Sequence, residues 1–548
     1  MGKLGPAAPA AANDTVQRAR ELSPRSKEII VGIVGYAGAG CSTAAERLSV
    51  FLGNADYKVH KVRLSQLICD HFEGREIPKI EDGVSRGTSK LKRSMYLQDL
   101  GDELRLKYKN FAVAALGVNK IIELRGGVEV GSEKIAYVVD SIKHKDEVEF
   151  LRDVYGEAFR LVAVHGEGHT RRSRLVGNAK STAKYAGASV EDVEKYIERD
   201  EKDGLNKNGQ QVRDAFYLAD YFLDNNVVSS NGSNLNDDID RFVNLFLGAE
   251  VVRPTLSEKS MFYAYAASRQ SSCLSRQVGA VLVSEGGEVI GTGMNEVPEF
   301  GGGVYTEDSS SDARCHTWKW TDGEVEFVGC HNDRKKSQLR RDVADWFDRN
   351  FSAELALAAH PKNPVGNDLA ENSRIRAQEA ISRVLNERTD LFDDIPRVKD
   401  LIEFSRAIHA EMSAILAASR SGSSTLNSRL FCTTYPCHNC ARHMVSAGVR
   451  EVFYVEPYVK SLATELHSDS ITSSEPKKGE IQSRMVVRPF VGVGPRMYED
   501  FFTKRGVLKA PDGSYLPPAA RPPVQSVRLL ELGDVEGRAA KLVPAVGA

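Results

Sequence analysis

His409-Ala410-Glu411, followed further along by Pro436-Cys437-His438-Asn439-Cys440, has the residue types and spacing to do chemistry. One imidazole and two thiolates form a zinc donor set. Three protein ligands leave the fourth position of a tetrahedral ion open to water. Cys437 and Cys440 at a helix start face one metal together, and the helix N-terminus favours their thiolate forms. His409 is expected from a neighbouring helix. Glu411 reaches the open position without being a ligand, and is suited to take a proton from water there and hand it to a leaving amine. Two plainer readings use the same residues: a closed structural zinc site and a redox C-x-x-C pair. A structural site would want a fourth Cys or His where Glu411 stands. His438 reads as a spacer.

A second group lies near the start. Gly35-Tyr36-Ala37-Gly38-Ala39-Gly40-Cys41-Ser42 matches G-x-x-x-x-G-K-[ST] except that Cys41 replaces the lysine. Backbone amides along Gly35, Gly38, Ala39, Gly40, Cys41 and Ser42, at a helix N-terminus, cradle a phosphate. Ser42 would meet a magnesium ion, and Asp140, ending the apolar run IAYVVD, is a metal-side acid. Arg171, Arg172 and Arg174 would close over phosphates. The cation that reaches the β- and γ-phosphates is missing, which favours nucleotide binding over phosphoryl transfer. The plainer alternatives are a tight strand-to-helix turn and a solvated basic face.

The elements that must position these residues fall into two domains. The chain has 548 residues, 41% hydrophobic and 27% charged, as soluble globular proteins have. Residues 1–26, rich in Ala and Pro, read as a disordered tail. EIIVGIVG (28–35) is a strand opening a glycine loop, and Ala44–Leu52 is the helix after it. Further strands are expected at Tyr57–Leu64, Ile135–Asp140, Leu161–His165 and Tyr221–Asp224, giving a parallel α/β sheet over 27–250. The second domain, 251–505, opens with a helix at Ser257–Gln270 and a hairpin of Val278–Ser284 and Glu288–Gly293. A polar interruption spans 299–400. A helix at Arg406–Ala418, a strand at Ser428–Thr434, a helix at Cys437–Ala447 and a strand at Glu451–Val455 follow. Residues 506–548, with PPAARPP, read as an extension.

H-x-E with P-C-x-x-C is a signature of the zinc deaminases. Residues 257–460 resemble the deoxycytidylate deaminase family. SSCLSRQVGAVLV (271–283), GTGMNEVP (291–298) with Gly301-Gly302-Gly303, and AASRSGSS (417–424) carry the likeness with the zinc motif. EPYVKSLATELHSD (456–469) and FVGVGPRMYEDFF (490–502) extend it. The first domain resembles small nucleotide kinases, and the combination resembles the bacterial anti-phage dCTP/dCMP deaminases. The implied fold is a P-loop kinase-like parallel sheet followed by a zinc-dependent cytidine deaminase-like α/β/α domain. The implied reaction is hydrolysis of free dCTP and/or dCMP to dUTP or dUMP and ammonia, depleting the dCTP pool during phage infection.

The resemblance also assigns residues. Asn295 matches the asparagine that holds the sugar hydroxyl, although Glu296 stands where the family has glycine. Arg420 falls where an arginine approaches a nucleotide phosphate, and Tyr458 would pack near base or sugar. Cys273 matches a ligand of a structural zinc found in some relatives. Cys315, His316, Cys330 and His331 lie near it in the interruption, so a second zinc beside the catalytic one is an expectation. Small buried thiols are the plainer reading. A homo-oligomer, a hexamer or other multiple of a dimer, is implied, with a nucleotide effector and an inhibitory RNA or protein as possible partners.

Composition excludes other classes. With 73 basic and 75 acidic residues the net charge is −2, which argues against a general nucleic-acid coat. A polynucleotide cytosine deaminase, and a nucleotide-sensing module with deaminase output, are the competing functions. Eight cysteines are too few for a disulfide scaffold. No run approaches a membrane span, the start does not read as a signal peptide, and Pro6 stands where the myristoylation pattern wants Ser or Thr. A cytoplasmic protein is expected.

Overall fold

The computed structural model describes residues 26–83, 86–177, 182–203, 206–226, 234–248, 251–322, 325–359, 367–387, 401–458, 461–473, 482–503, 508–516 and 529–543. The expected N-terminal tail, Ser26 apart, lies outside them. The chain divides into two compact units, Met1–Phe262 with Arg488–Ala548, and Tyr263–Val487.

The first unit is built on five parallel strands: β1 (Ile29–Val34), β2 (Lys58–Arg63), β3 (Ile135–Ile142), β4 (Phe159–His165) and β5 (Tyr221–Asp224). Their order is β5-β4-β1-β3-β2. Every residue of β1 is buried, as its unbroken Ile/Val run requires of a strand covered on both faces. From β1 the chain turns through the glycine loop into the helix Cys41–Asn54, which buries Ala44, Ala45, Leu48 and Leu52. The chain runs to one side of β1 for β2 and β3, and to the other for β4 and β5. The glycine loop therefore leaves β1 at the point where strand order reverses, the place where open α/β sheets bind ligands.

The C-terminal segments depart from expectation. Gly492–Val493, in the stretch assigned to the second domain, adds an antiparallel edge to β5. Within 506–548, Leu529–Ala540 is a helix rather than extended chain. Its Glu536 meets Arg125, which also grips Glu28: Arg125 Nη1 and Nη2 donate to Glu536 at 2.7 and 2.8 Å, and Nη2 to Glu28 at 2.8 Å. All three side chains are buried. Such a partnership across the chain leaves no periodic trace in the sequence.

The second unit has a sheet ordered β12-β13-β11-β10-β6-β7. Its strands are β6 (Gly279–Val283), β7 (Val289–Met294), β10 (Arg429–Thr434), β11 (Glu451–Glu456), β12 (Ile471–Thr472) and β13 (Met485–Pro489). β6 and β7 form the expected hairpin, β10 lies antiparallel to β6, and β11 lies parallel to β10. The interruption holds a small hairpin of β8 (Trp320–Asp322) and β9 (Val325–Phe327), then two long helices, His331–Ala359 and Asn367–Glu387. The helix expected from Arg406 begins at Ala410 instead. Before it the chain is extended, and Ile408 N donates to Glu296 O at 3.0 Å.

Removing Arg125 would leave two buried carboxylates facing each other. We expect Arg125→Ala to destabilise the first unit by about 3–5 kcal/mol, the usual cost of breaking a buried ion cluster. Denaturant unfolding followed on that unit checks this; an unchanged midpoint would contradict it.

Candidate active site

The site begins with two absent side chains. A Cβ on Gly293 of β7 would stand 2.3 Å from Ala410 O, and one on Gly291 would stand 2.3 Å from Ala414 O. The helix Ala410–Arg420 can therefore lie with its backbone on the strand. This places His409, extended at the helix N-cap, and Glu411, in its first turn, beside the end of β10. There the chain turns into the helix His438–Ser446, with Cys437 at its N-cap and Cys437 Sγ accepting from Cys440 N at 3.4 Å.

His409 Nδ1 lies 3.2 Å from Cys437 Sγ and 3.5 Å from Cys440 Sγ. Ligand atoms of a tetrahedral zinc with one imidazole and two thiolates stand about 3.5 Å apart, so the set fits that ion. Among the described residues, these are the only His, Cys, Asp or Glu side chains that bring three ligand atoms within 4.8 Å of one another. Cys437 is held down to about 4 by the hydrogen bond from Cys440 and by His409. His409 is pushed up to about 9, chiefly by its bond to Cys437. Cys440 is pushed well above the usual thiol value by its own bond to Cys437, so Cys437 carries the thiolate character a cation ligand needs and Cys440 gives up its proton when a cation binds. Glu411 is 4% exposed, and burial pushes its carboxyl up to about 7. A carboxyl poised there is suited to both accept and return a proton.

His409, Cys437 and Glu411 line a cavity of about 280 Å3, large enough for a small ligand's reacting end. Asn295 and Tyr458 are among its lining residues. The Asn295 amide also braces the wall: Oδ1 accepts from Val278 N and Nδ2 donates to Arg276 O, both at 2.7 Å. Each atom keeps one further bonding position for a ligand. Glu296, the departure from the family glycine, is 2% exposed and has a structural task. It accepts from Ser272 N at 2.7 Å, Ser272 Oγ at 2.6 Å and Val297 N at 2.9 Å, tying the two loops that flank the cavity.

Arg420 is placed differently. It is exposed at the far end of the helix that starts at Ala410, about 14 Å along the axis from Glu411, and does not line the cavity. The cavity's cations are Arg276, Lys336 and Arg406. Arg406 Nη1 is buried and has no partner among the described residues. Sequence reasoning missed these cations because the segments bearing them meet only in the folded unit. Cys273, Cys315, Cys330 and His331 line the same cavity without forming a ligand cluster, and His316 is not among the lining residues.

The glycine loop lines a separate cavity, in the first unit. Ser42 Oγ donates to Asp140 Oδ2 at 2.9 Å, joining two of the expected residues. Gly40 has φ 93, which a glycine adopts freely. Of the three arginines only Arg174 lines this cavity, donating to Gly38 O and Ala39 O at 3.2 Å. Arg171 is paired with Glu201 and Arg172 with Glu194. Lys143, which no motif had singled out, lines the cavity and donates to Gly35 O at 3.2 Å.

Residues 320–456 match the family model of the cytidine and deoxycytidylate deaminase zinc-binding region, a span that includes His409, Glu411, Cys437 and Cys440. The deoxycytidylate deaminase of Enterobacteria phage T2 is 26% identical over 198 residues, 36% of this chain and 78% of that protein. ComE operon protein 2 of Bacillus subtilis (strain 168) is 43% identical over 54 residues; the match spans only 29% of that protein and 10% of this chain. Among solved structures, the dCMP deaminase of cyanophage S-TIM5 in complex with dCMP and dUMP is 18% identical. It covers 44% of this chain and 99% of that one at a TM-score of 0.22, too low for the overlay to carry weight. The chain thus contains a deoxycytidylate deaminase domain with a zinc-binding region. It is a hydrolytic deaminase. No helix among the described residues is long and apolar enough to cross a membrane.

A side chain at position 293 should push the helix Ala410–Arg420 off β7. We expect Gly293→Ala to lower kcat/KM by about 100-fold, the usual cost of misplacing catalytic groups by about 1 Å, together with a loss of bound zinc. A wild-type rate with full zinc would contradict the positioning role. Metal analysis after removal of loose ions should give one zinc per chain, lost in Cys437→Ser; two retained equivalents would revive the second site.

Proposed function

We propose that the second unit deaminates free deoxycytidine nucleotides, dCTP and/or dCMP, to dUTP or dUMP and ammonia. The observation that carries this is Glu411 beside the His409, Cys437 and Cys440 donor set, at a cavity also lined by Arg406, whose buried Nη1 has no partner among the described residues. A buried guanidinium N–H without a partner fits a phosphate oxygen. The names of the phage relatives support the substrate class.

The residues divide the work. His409, Cys437 and Cys440 would hold a zinc ion, which when bound makes a water more acidic and orients it. Glu411 takes the two protons of the attacking water in turn, passing the first to N3 of the cytosine and the second to the departing amino group. The water oxygen bonds to C4 of cytosine, the C4–N4 bond breaks and ammonia leaves, with no change of oxidation state. Asn295 has a donor and an acceptor left for a sugar hydroxyl, and Tyr458 offers a surface against the base or sugar. Arg406, with Arg276 and Lys336, would receive the phosphates in place of Arg420. The first unit would bind a nucleotide at Gly35–Ser42 and regulate this output, with or without magnesium at Ser42 and Asp140. Loss of dCTP during phage infection is the proposed consequence, in the cytoplasm and as a homo-oligomer.

Zinc-loaded protein offered dCTP, dCMP, CTP, deoxycytidine and cytosine-bearing single-stranded DNA tests this. We expect uracil product from dCTP or dCMP, lowered by at least about 100-fold in Glu411→Gln. Arg406→Ala should raise KM for the nucleotide while leaving that for deoxycytidine nearly unchanged. Product from DNA alone, with steep salt dependence, would instead establish a polynucleotide deaminase.

A further inference from the structure

The glycine-loop cavity of the first unit has a volume of about 530 Å3, within the range of about 300–1,000 Å3 typical of small-molecule sites. Gly40 caps the helix Cys41–Asn54 without a side chain that could accept the first N–H groups, which leaves them for an anion. Cys41 contributes no charge, since burial pushes its thiol up to about 12. Lys143, the residue after β3, brings a cation to the loop in addition to Arg174 and Lys184, which also line the cavity. Its Nζ donates to Gly35 O at 3.2 Å and to Asp200 Oδ1 at 2.8 Å. Asp200 in turn accepts from Ala37 N of the loop at 2.7 Å.

A second feature lies on the helix Arg86–Tyr108. Gln98 is 2% exposed and lines the same cavity. Its Nε2 donates to Gln210 Oε1 at 3.1 Å, while its Oε1 has no partner among the described residues. Buried amide oxygens are rarely left unpaired, and a modest rotation of the Gln98 side chain, which lines the cavity, would turn this one toward a ligand. Gln210 and Tyr196 line the cavity beside it. The cavity thus has an anion-binding end and a buried polar acceptor, the two things a nucleotide's phosphates and base require.

We propose that this cavity binds a nucleoside phosphate, with Lys143 supplying the phosphate cation that Cys41 cannot and Gln98 Oε1 accepting an N–H of the base. The inference rests on the reading that the first unit binds a nucleotide, and it names the residues that would select one. It also separates binding from catalysis, since Lys143 enters from the neighbouring strand rather than from the loop itself.

The test uses the full chain with dATP, dGTP, dTTP and inorganic tripolyphosphate, none of which offers a cytosine to the other unit. Hydrogen exchange is followed at residues 35–48 and 94–105 as each ligand is titrated with magnesium. We expect every ligand to protect the glycine loop, with at least one nucleotide doing so at a concentration about tenfold below tripolyphosphate, the worth of one good hydrogen bond. Gln98→Leu should abolish that advantage and leave tripolyphosphate unchanged. Lys143→Met combined with Asp200→Asn, which removes the ion pair but keeps an acceptor for Ala37 N, should weaken all four about tenfold. Melting temperatures establish that the variants fold, and Gln98→Met replaces a Leu variant that does not. Protection of the loop with no effect of either variant would overturn the residue roles while leaving nucleotide binding intact. No protection by any ligand would overturn both.

Discussion

The deaminase site depends on the close approach of one helix to one strand. Gly291 and Gly293 let the backbone of Ala410–Arg420 lie where a Cβ would collide with Ala410 O and Ala414 O. That contact fixes the height of His409 and Glu411 relative to the sheet. The other half of the site is fixed independently, by the turn from β10 into the helix His438–Ser446. Two rigid elements therefore meet with donor atoms 3.2–3.5 Å apart, and the chemistry follows from that fit. Catalytic groups held on helix ends and strand ends keep productive geometry better than groups on loops.

The zinc donors and Glu411 were legible in the sequence because a metal demands particular residue types at short spacing. Most of the strands were legible for a related reason: β1 and β3 are apolar runs that only a covered sheet can bury. What was not legible depends on contacts between distant segments. Arg406 and Lys336 come to the cavity from residues far apart in sequence, whereas Arg420 sits on the right helix at the wrong end. Glu296 looked like a minor departure and proved to be a brace. The helix Leu529–Ala540 followed a Pro-rich stretch and was missed, because its anchor is the long-range ion cluster of Glu536, Arg125 and Glu28.

Buried charge in the first unit serves arrangement more than stability. Arg125 between two carboxylates, and Lys143 against Asp200, each give up hydration that the ion pair only roughly offsets. Their value is directional. Arg125 joins the start of β1 to the C-terminal helix, and Asp200 links Lys143 to the loop amide of Ala37. A glycine loop with no lysine of its own thereby keeps a cation beside it. In the second unit the corresponding feature is Arg406, a cavity-lining residue whose buried Nη1 has no partner among the described residues.

The central claim is that His409, Cys437 and Cys440 hold an open metal centre with Glu411 beside it, rather than a closed structural one. X-ray absorption at the zinc edge of the purified full chain tests this most directly. The account predicts two sulfur ligands at about 2.3 Å and two nitrogen or oxygen ligands at about 2.0 Å, one of which exchanges when a substrate analogue binds. Three or four sulfur ligands, with a spectrum indifferent to the analogue, would contradict it.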